Sequence, residues 1–451
     1  MGFALSPRLA ELKQRAASLT GKIMQFEGEC EANNGLPPEA HAVIRDEVLA
    51  HGLQAINMPA EWGGAGLMIL EQVVVQDELG KLTNALRDAV WRPANCLSAC
   101  TPEQRERYLV PDIEGRRRDA VAITEEHAGS NPSRIRTTAT RDGDDYVLNG
   151  EKWFVTVGGA AGFLIVLAYV RPDNEPTMFL VDKDTPGVSV KRTPRYTHTF
   201  VYEHPEFLFQ DVRVGQDAVL GRIGEGYDLT RDWFTEERLM IAARTIGAAE
   251  RALRLAVDWA KEREQGGDVL MNRQLIQGMI ADSVTEIATN RAFTHQVAWE
   301  FDQGGDLKTL HAKAATAKLA APEASNRIVD RCVQIFGGRG YMWDMPVERL
   351  WRELRVDPGR APPRSSGWSS PTRSASAAWT TCCPSPPGAD RRHPAAGVVR
   401  PPRVVRPRPL PYGHTERPLP PGTPPPRRPN TPRGNDPQRP SSTEAGEAPA
   451  P

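Results

Sequence analysis

The composition of the chain changes abruptly after Asp357, and this change limits what can fold. Residues 358–451 contain 25 of the 40 prolines and no lysine, isoleucine, phenylalanine or methionine. The segment has fourteen arginines against five acidic residues, so it is basic although the whole chain has a formal net charge of −1. Because it lacks the aliphatic side chains whose burial offsets the entropy of ordering, we predict that 358–451 is disordered. Any folded part must be built from residues 1–357, which are too many for a single core.

The cysteines and the N-terminal segment argue against several classes of protein. The six cysteines are scattered apart from the adjacent pair Cys382–Cys383, and none belongs to a Cys-x-x-Cys motif or to a Cys/His set with metal-ligand spacing. This distribution predicts a reduced, cytoplasmic chain without a metal centre. Residues 1–30 lack the apolar core of a signal peptide, and no apolar run approaches the length of a membrane span, so we predict no membrane partner.

The hydrophobic periodicity of residues 1–357 changes twice, from helical to β and back to helical. Residues 1–120 contain amphipathic helices, one of them capped at Thr101. In 121–225, alternating residues interrupted by Asp-Gly and Asn-Gly predict a mostly β domain, and "GFLIVLAYV" is typical of a strand buried on both faces. In 226–357, three long amphipathic helices predict an antiparallel bundle without its fourth member. The predicted fold class is α+β, mainly α, followed by the tail.

Three separated stretches of residues 5–357 carry a recognisable pattern. They read, in order, "AITEEHAGSNPSRIRTTATRDGDDYVLNGEKWFVTVGG", "ERLMIAARTIGAAERALRLAVDWAKEREQGG" and "QIFGGRGYM". The first resembles the flavin-binding segment of the acyl-CoA dehydrogenases, the second their first bundle helix and the third their late glycine turn. Three motifs in the right order make the resemblance specific. It implies an N-terminal helical domain, a β domain and a four-helix bundle, with FAD between the last two, in a homodimer or homotetramer.

The resemblance also implies which residues contact FAD. Ile123, Thr124 and Ser130 match the backbone and hydroxyl groups that the family places around the flavin. Phe154 matches the aromatic ring beside the flavin, and Thr156 matches the hydroxyl near its reactive nitrogen. From a neighbouring subunit the family brings groups to the diphosphate and adenine, which match Arg263, Gln274, Gln334 and Gly338. Hydroxyls that donate and accept, and a glycine that permits close approach, suit these roles. The alternatives are an ordinary Ser/Thr-rich β domain with a core phenylalanine, and a helix-capping turn beside a solvated arginine.

The implied reaction is α,β-dehydrogenation of an acyl-CoA, as in fatty acid metabolism, with electrons passed to an electron-transfer flavoprotein. It needs a carboxylate base at the α-carbon and a hydride acceptor, the flavin, at the β-carbon. Most family members take the base from an "EGTSE"-like loop before the last helix, and a minority take it from "ERL" on the first bundle helix. In "FTEERLMIAA", Glu237 matches the base of the minority, on the first bundle helix, and Arg238 matches an arginine that contacts CoA in the family. The alternative is a solvated Glu–Arg pair on a helix surface.

The resemblance suggests an origin for residues 358–451. A family C-terminus such as "WEGTSEIQRLVIPNALGKRGLDDLL", written in GC-rich codons of our choice and read one base later, gives "GRAPPRSSGW" and then "SSPTRSASAAWTTCC", as residues 359–383 read. We therefore interpret the tail as frameshifted. The lost segment would supply the fourth bundle helix, the commoner catalytic glutamate and an oxyanion donor. Loss of one such donor costs about a hundred- to a thousandfold in rate, so we expect impaired activity.

Other functions remain open at this point. A flavin-dependent oxidase or monooxygenase would use the same fold, and the chain could instead be a non-catalytic flavin-binding remnant or interaction protein. A genuine Pro/Arg linker, "RPPRVVRPRPLP", would suit nucleic acid or an SH3-like partner, but our prediction includes no nucleic acid. The segment "RYTHTFVYEHPEFLFQDVRV" replaces a serine motif of the family, and we expect His198 and His204 to be exposed on a surface strand pair rather than to shape a pocket.

Overall fold

The computed structural model describes residues 5–358, in which helices, strands and helices follow one another as the sequence predicts. The fold is α+β and mainly helical, which confirms the predicted fold class. Apart from Pro358, the predicted disordered and frameshifted tail lies outside the described residues, and so does the Cys382–Cys383 pair.

The N-terminal region is helical. In this region the structure shows α1 to α6, which span Pro7–Met24, Glu27–Asn33, Pro38–Ala50, Ile69–Leu79, Pro102–Gln104 and Val110–Ile113. The Ser6 hydroxyl caps α1 by accepting from the Leu9 N–H at 3.3 Å. At α5, the Thr101 hydroxyl accepts from the Gln104 N–H at 3.2 Å while the Gln104 side chain accepts from the Thr101 N–H at 3.0 Å. This reciprocal capping box confirms the predicted helix start at Thr101.

The central region forms one mixed sheet. Its strands, β1 to β8, span Asp119–Ala122, Thr138–Asp142, Asp145–Lys152, Phe163–Arg171, Glu175–Asp182, Val188–Arg192, Glu206–Gly215 and Val219–Leu220. The order is β6-β7-β3-β2-β4-β5-β8. Strands β1 and β2 both run parallel to β4, beside successive parts of it, and the other neighbours are antiparallel. Strand β4 therefore has neighbours along both edges.

Strand β4 is buried on both faces, as its continuous apolar sequence predicts. Phe163 and Ile165 pack on one face in a cluster that includes Tyr108 from the N-terminal region. Leu164 and Val166 pack on the opposite face, in a cluster formed by residues of the sheet region. Because successive side chains of a strand point to opposite faces, an unbroken apolar run fits only a strand covered on both sides.

The C-terminal region is a helical bundle. Helices α7 to α10 span Gly226–Glu262, Gln274–Asp302, Leu307–Phe336 and Pro346–Leu354, and the hairpin strands β9 and β10, Glu264–Gln265 and Asp268–Val269, connect α7 to α8. A continuous apolar core joins α7, α8 and α9, as the helical spacing of the sequence predicts. Within residues 5–358 no fourth long helix is present, and the nine-residue α10 packs against α9 and α7.

Two glycines let α4 and α7 approach each other closely. A Cβ atom at Gly247 would collide with the Asp77 carbonyl oxygen, and one at Gly80 would collide with the Arg244 carbonyl oxygen. Only a residue without a side chain fits such a backbone contact. The contact holds α7, which carries the predicted base, directly against the N-terminal region.

The prediction for His198 and His204 is wrong. Both side chains are buried, and they lie in an irregular segment between β6 and β7 rather than on a strand pair. The Phe200 ring lies 4.1 Å from that of His198 and 3.9 Å from that of His204. His204 Nδ1 also accepts from the Val157 N–H at 3.3 Å. Because the aromatic rings of this segment pack on one another, the segment folds inward although its sequence has no strand or helix period.

Three further properties concern the described residues as a group. None of their helices combines the length and the apolar character needed to cross a membrane. The cysteines among them, Cys30, Cys96, Cys100 and Cys332, are buried and unpaired. In this part of the chain no cluster of histidine, cysteine and acidic residues is arranged as a metal site.

Candidate functional site

A cavity of about 530 Å³ lies between the sheet, the N-terminal region and α7. Its lining includes six of the eleven predicted site residues, namely Ile123, Thr124, Ser130, Phe154, Thr156 and Glu237. The fold therefore brings the predicted flavin contacts and the predicted base to one site, although more than a hundred residues separate the ends of this set.

A buried ion pair holds the wall that carries Ile123 and Thr124. Lys152 is fully buried at the end of β3, and its ammonium group donates to the Ile123 carbonyl at 3.0 Å and to Glu125 Oε1 at 2.9 Å. Burial lowers the pKa of Lys152 to about 8, although Glu125 opposes the shift. Glu125 in turn accepts from the N–H and hydroxyl groups of Thr137 at 3.0 and 2.6 Å. The network ties β3 to two neighbouring loops and fixes the backbone beside Thr124.

Next to Thr124, the same wall of the cavity contains a strained turn. Phe154 has a φ of +53° and Val157 a φ of +63°, values that residues with a side chain adopt rarely. The Trp153 N–H donates to the Thr124 carbonyl at 2.7 Å, which joins the turn to the first loop. Phe154 is 53% exposed although it is aromatic, and it lines the cavity. An exposed aromatic face beside backbone and hydroxyl groups fits a planar heteroaromatic ring such as that of a flavin.

Glu237 lies in a half-buried network that links the N-terminal region to α7. Arg92 forms ion pairs with both Glu236 and Glu237. Arg244 Nη2 donates to the second Glu237 oxygen at 2.9 Å, and the Asn95 amide donates to the second Glu236 oxygen at 2.9 Å. Both oxygens of Glu237 are therefore engaged by guanidinium groups. These contacts stabilise the charged carboxylate.

Arg238 does not line the cavity, and it does not pair with Glu237. Its side chain is only 5% exposed, so the alternative of a solvated surface pair is wrong. Burial lowers the pKa of Arg238 to about 10, and no carboxylate within residues 5–358 forms an ion pair with it. Burial and the charge of Arg238 together lower the pKa of His311 to about 4. Arg238 thus lies behind the cavity wall, on the side of α7 that faces α9.

The remaining predicted cofactor residues lie far from this cavity along the bundle. They are exposed and cluster where α7 and α9 end and α8 begins, and they are Arg263, Gln274, Gln334 and Gly338. The Trp259 ring stacks on the Phe336 ring with 5.5 Å between the ring centres, and the Arg263 guanidinium lies 6.0 Å from the centre of the Trp259 ring. The structure therefore groups these residues with one another but not with the cavity of their own chain.

The sequence did not reveal the partners of Glu237. Arg92 lies 145 residues before Glu237, and nothing in "VWRPANCL" indicates that its guanidinium reaches α7. Arg244 could have been found, because it follows Glu237 by two helical turns on α7 and therefore lies near the same helix face. The cavity-lining rings of Tyr196 and Phe200 were missed because their segment has no regular period.

Three family models match consecutive parts of the chain. The N-terminal, middle and C-terminal domains of acyl-CoA dehydrogenase match residues 10–116, 120–212 and 224–358. The chain belongs to the acyl-CoA dehydrogenase family.

Individual proteins are also similar to this chain. Acryloyl-CoA reductase (NADH) from Anaerotignum propionicum is 35% identical over 68% of this chain and 79% of the relative. The caffeyl-CoA reductase–Etf complex subunit CarC from Acetobacterium woodii is 30% identical over 75% of this chain and 89% of the relative. The solved butyryl-CoA dehydrogenase from Megasphaera elsdenii superposes with a TM-score of 0.75 at 27% identity, over 85% of this chain and 100% of that chain.

Proposed function

We propose that this member of the acyl-CoA dehydrogenase family uses FAD to dehydrogenate an acyl-CoA between its α- and β-carbons and passes the electrons to an electron-transfer flavoprotein. The observation that carries the proposal is that Glu237, Phe154 and Thr156 line one cavity. A base and a cofactor wall that face one cavity can act on adjacent carbons of one substrate. Both relatives described above are named for CoA thioesters, and one is a subunit of a complex with Etf.

The cavity residues would hold the flavin ring of FAD. Phe154 offers the stacking face, Thr124 and Thr156 offer hydroxyl and backbone groups, and the Lys152–Glu125 pair keeps that backbone in place. When bound, FAD supplies the acceptor for the hydride that leaves the β-carbon.

A second subunit would complete the FAD site. Arg263, Gln274, Gln334 and Gly338 are exposed and distant from the cavity of their own chain, so they can reach FAD only across an interface. This arrangement implies a homodimer or homotetramer. Light scattering of the FAD-loaded protein measures the mass, and a monomer that retains FAD would contradict the shared site.

Glu237 would take the proton from the α-carbon. The proton moves to a Glu237 oxygen while the hydride leaves the β-carbon, and the electron pair of the broken α-C–H bond forms the new double bond. Because Arg92 and Arg244 occupy both Glu237 oxygens, one of these ion pairs must loosen when the carboxylate accepts the proton. The arginines favour the unprotonated form in the resting enzyme, which is the form that a base requires.

The direct test is reduction of bound flavin by substrate without oxygen. FAD-loaded protein is mixed anaerobically with straight-chain, branched, aryl and dicarboxylic acyl-CoAs, and the flavin absorbance is followed. We expect one class to bleach the flavin and electron-transfer flavoprotein to restore its colour. Bound flavin that no acyl-CoA bleaches would support a non-catalytic remnant instead. Rapid reoxidation by oxygen without the acceptor protein would support an oxidase.

A further inference from the structure

Arginine side chains dominate one end of the cavity. Arg87, Arg92, Arg118 and Arg244 all line it, together with the carboxylates Asp88, Asp119 and Glu237. Arg87 is 7% exposed, and the side chains of Arg92 and Arg244 are 10% and 13% exposed. This end of the cavity is therefore polar and shielded from solvent, unlike the aromatic wall around Phe154.

The carboxylates at this end are already occupied. Glu237 accepts from Arg92 and Arg244, and Glu353 Oε1 accepts from Arg87 and from the Ala85 N–H. Asp119 Oδ2 accepts from the Ala94 N–H at 3.1 Å, and burial raises the pKa of Asp119. Asp88 Oδ1 lies 3.9 Å from Arg87 Nε, so each of these carboxylates has a partner within the wall. Glu353 Oε2 is buried and forms no hydrogen bond among residues 5–358.

Hydrogen-bond donors remain unused at the same end. The Nε groups of Arg87 and Arg118 are buried and have no hydrogen-bond partner among residues 5–358. Arg244 donates to the Met240 carbonyl and to Glu237, and its Nη1 forms no hydrogen bond with any described residue. Burial, with a contribution from the charge of Arg87, lowers the pKa of Arg244 to about 10, although Asp88 and Asp357 oppose the shift. The wall can therefore accept a further anion.

An unsubstituted alkyl chain would fit this end poorly. It would remove the remaining water from the guanidinium groups without replacing the hydrogen bonds, and leaving a buried donor unsatisfied is unfavourable. A carboxylate, in contrast, can accept two parallel hydrogen bonds from one guanidinium group.

We propose that the arginine end of the cavity binds a carboxylate at the far end of the acyl group. The preferred substrates are then CoA thioesters of short dicarboxylic acids. This inference rests on the proposed function. The short length of the acyl chain follows from the position of Arg244, whose Nη2 lies 2.9 Å from Glu237 Oε2. Since Glu237 must contact the α-carbon, the same guanidinium lies within a few ångströms of the reacting carbons. Only a short chain places its terminal carboxylate there.

The test compares two thioesters of equal chain length, glutaryl-CoA and pentanoyl-CoA, which differ in a terminal carboxylate against a methyl group. Dissociation constants for the FAD-loaded full chain are measured by calorimetry under conditions without turnover. We expect glutaryl-CoA to bind at least about tenfold more tightly, the effect of one hydrogen bond to a charged group. Equal binding, tighter binding of pentanoyl-CoA, or no binding of either would overturn the inference.

Variants locate the effect. Arg244→Met should abolish the preference for glutaryl-CoA, whereas Arg244→Lys should keep part of it because the positive charge remains. Arg254→Met is the matched control, because Arg254 lies on the same helix with its side chain 73% exposed. An unchanged preference in a folded Arg244→Met protein would also overturn the inference. Preferential binding of glutaryl-CoA without flavin bleaching would contradict the proposed dehydrogenation alone, so the two failures are distinguishable.

Discussion

Glu237 and Arg244 lie two turns apart on α7, and Arg244 Nη2 donates to Glu237 Oε2 at 2.9 Å. Arg92 from the N-terminal region engages the other oxygen of the same carboxylate. The predicted base is therefore held by one arginine of its own helix and one from a distant part of the chain. Its position depends on the packing of α7 against the N-terminal region, which the two glycines at the α4–α7 contact permit.

The α4–α7 contact gives a prediction about stability. Gly247→Ala should lower the free energy of unfolding by about 2–4 kcal/mol, because the added methyl group meets the Asp77 backbone in a packed interior. Gly278→Ala is the matched control, since a Cβ there meets nothing within 4 Å and alanine favours a helix. Urea denaturation measures both, and an equal stability of the two variants would show that the contact is not tight.

The aromatic wall gives a prediction about cofactor affinity. Phe154→Ala should weaken FAD binding by roughly tenfold through the loss of stacking, while Phe154→Trp should retain FAD. Because Phe154 is 53% exposed, neither change should lower the free energy of unfolding of the FAD-free protein by much more than about 0.5 kcal/mol. Fluorescence titration with FAD measures the affinity. Unchanged affinity in Phe154→Ala would place the flavin ring elsewhere.

The buried Lys152 gives a prediction about pH. Its pKa in the folded state is about 8, below the ordinary value of about 10.4, so between these values the unfolded chain binds one more proton than the folded protein. Stability contributed by Lys152 therefore increases as the pH rises from about 8 to about 10. In urea denaturation, the difference in unfolding free energy between wild type and Lys152→Met should grow over this window. A constant difference would contradict the lowered pKa.

Much of the fold could be predicted from local sequence patterns, but the site could be predicted only in part. The nine-residue β4 and the cap at Thr101 were predictable because an apolar run and a Thr-x-x-Gln spacing each have one common structural solution. The seam of α7, α8 and α9 followed from helical spacing. The segment before β7 was not predictable, because the burial of His198 and His204 depends on contacts with Phe200 and Val157 rather than on any period. Arg92 was missed for the same reason: its contact with Glu237 is tertiary.

The frameshift interpretation also makes a prediction. An independent DNA read across codons 350–385 should show missing or extra bases and restore an "EGTSE"-like loop with a further helix. The restored protein should reduce its flavin faster than the present chain, because the loop would add an oxyanion donor and a second candidate base. A read that reproduces the present sequence would remove the interpretation and leave Glu237 as the candidate base.

The most direct test of the central claim is the rate of anaerobic flavin reduction in Glu237→Gln, compared with wild type loaded to the same FAD content. Glutamine keeps the shape of glutamate but cannot accept the α-proton, so we predict a rate lower by at least about a hundredfold. Glu262→Gln, an exposed change on the same helix, should reduce flavin like wild type. A Glu237→Gln enzyme that still binds acyl-CoA and bleaches its flavin at the wild-type rate would contradict the assignment of Glu237 as the base.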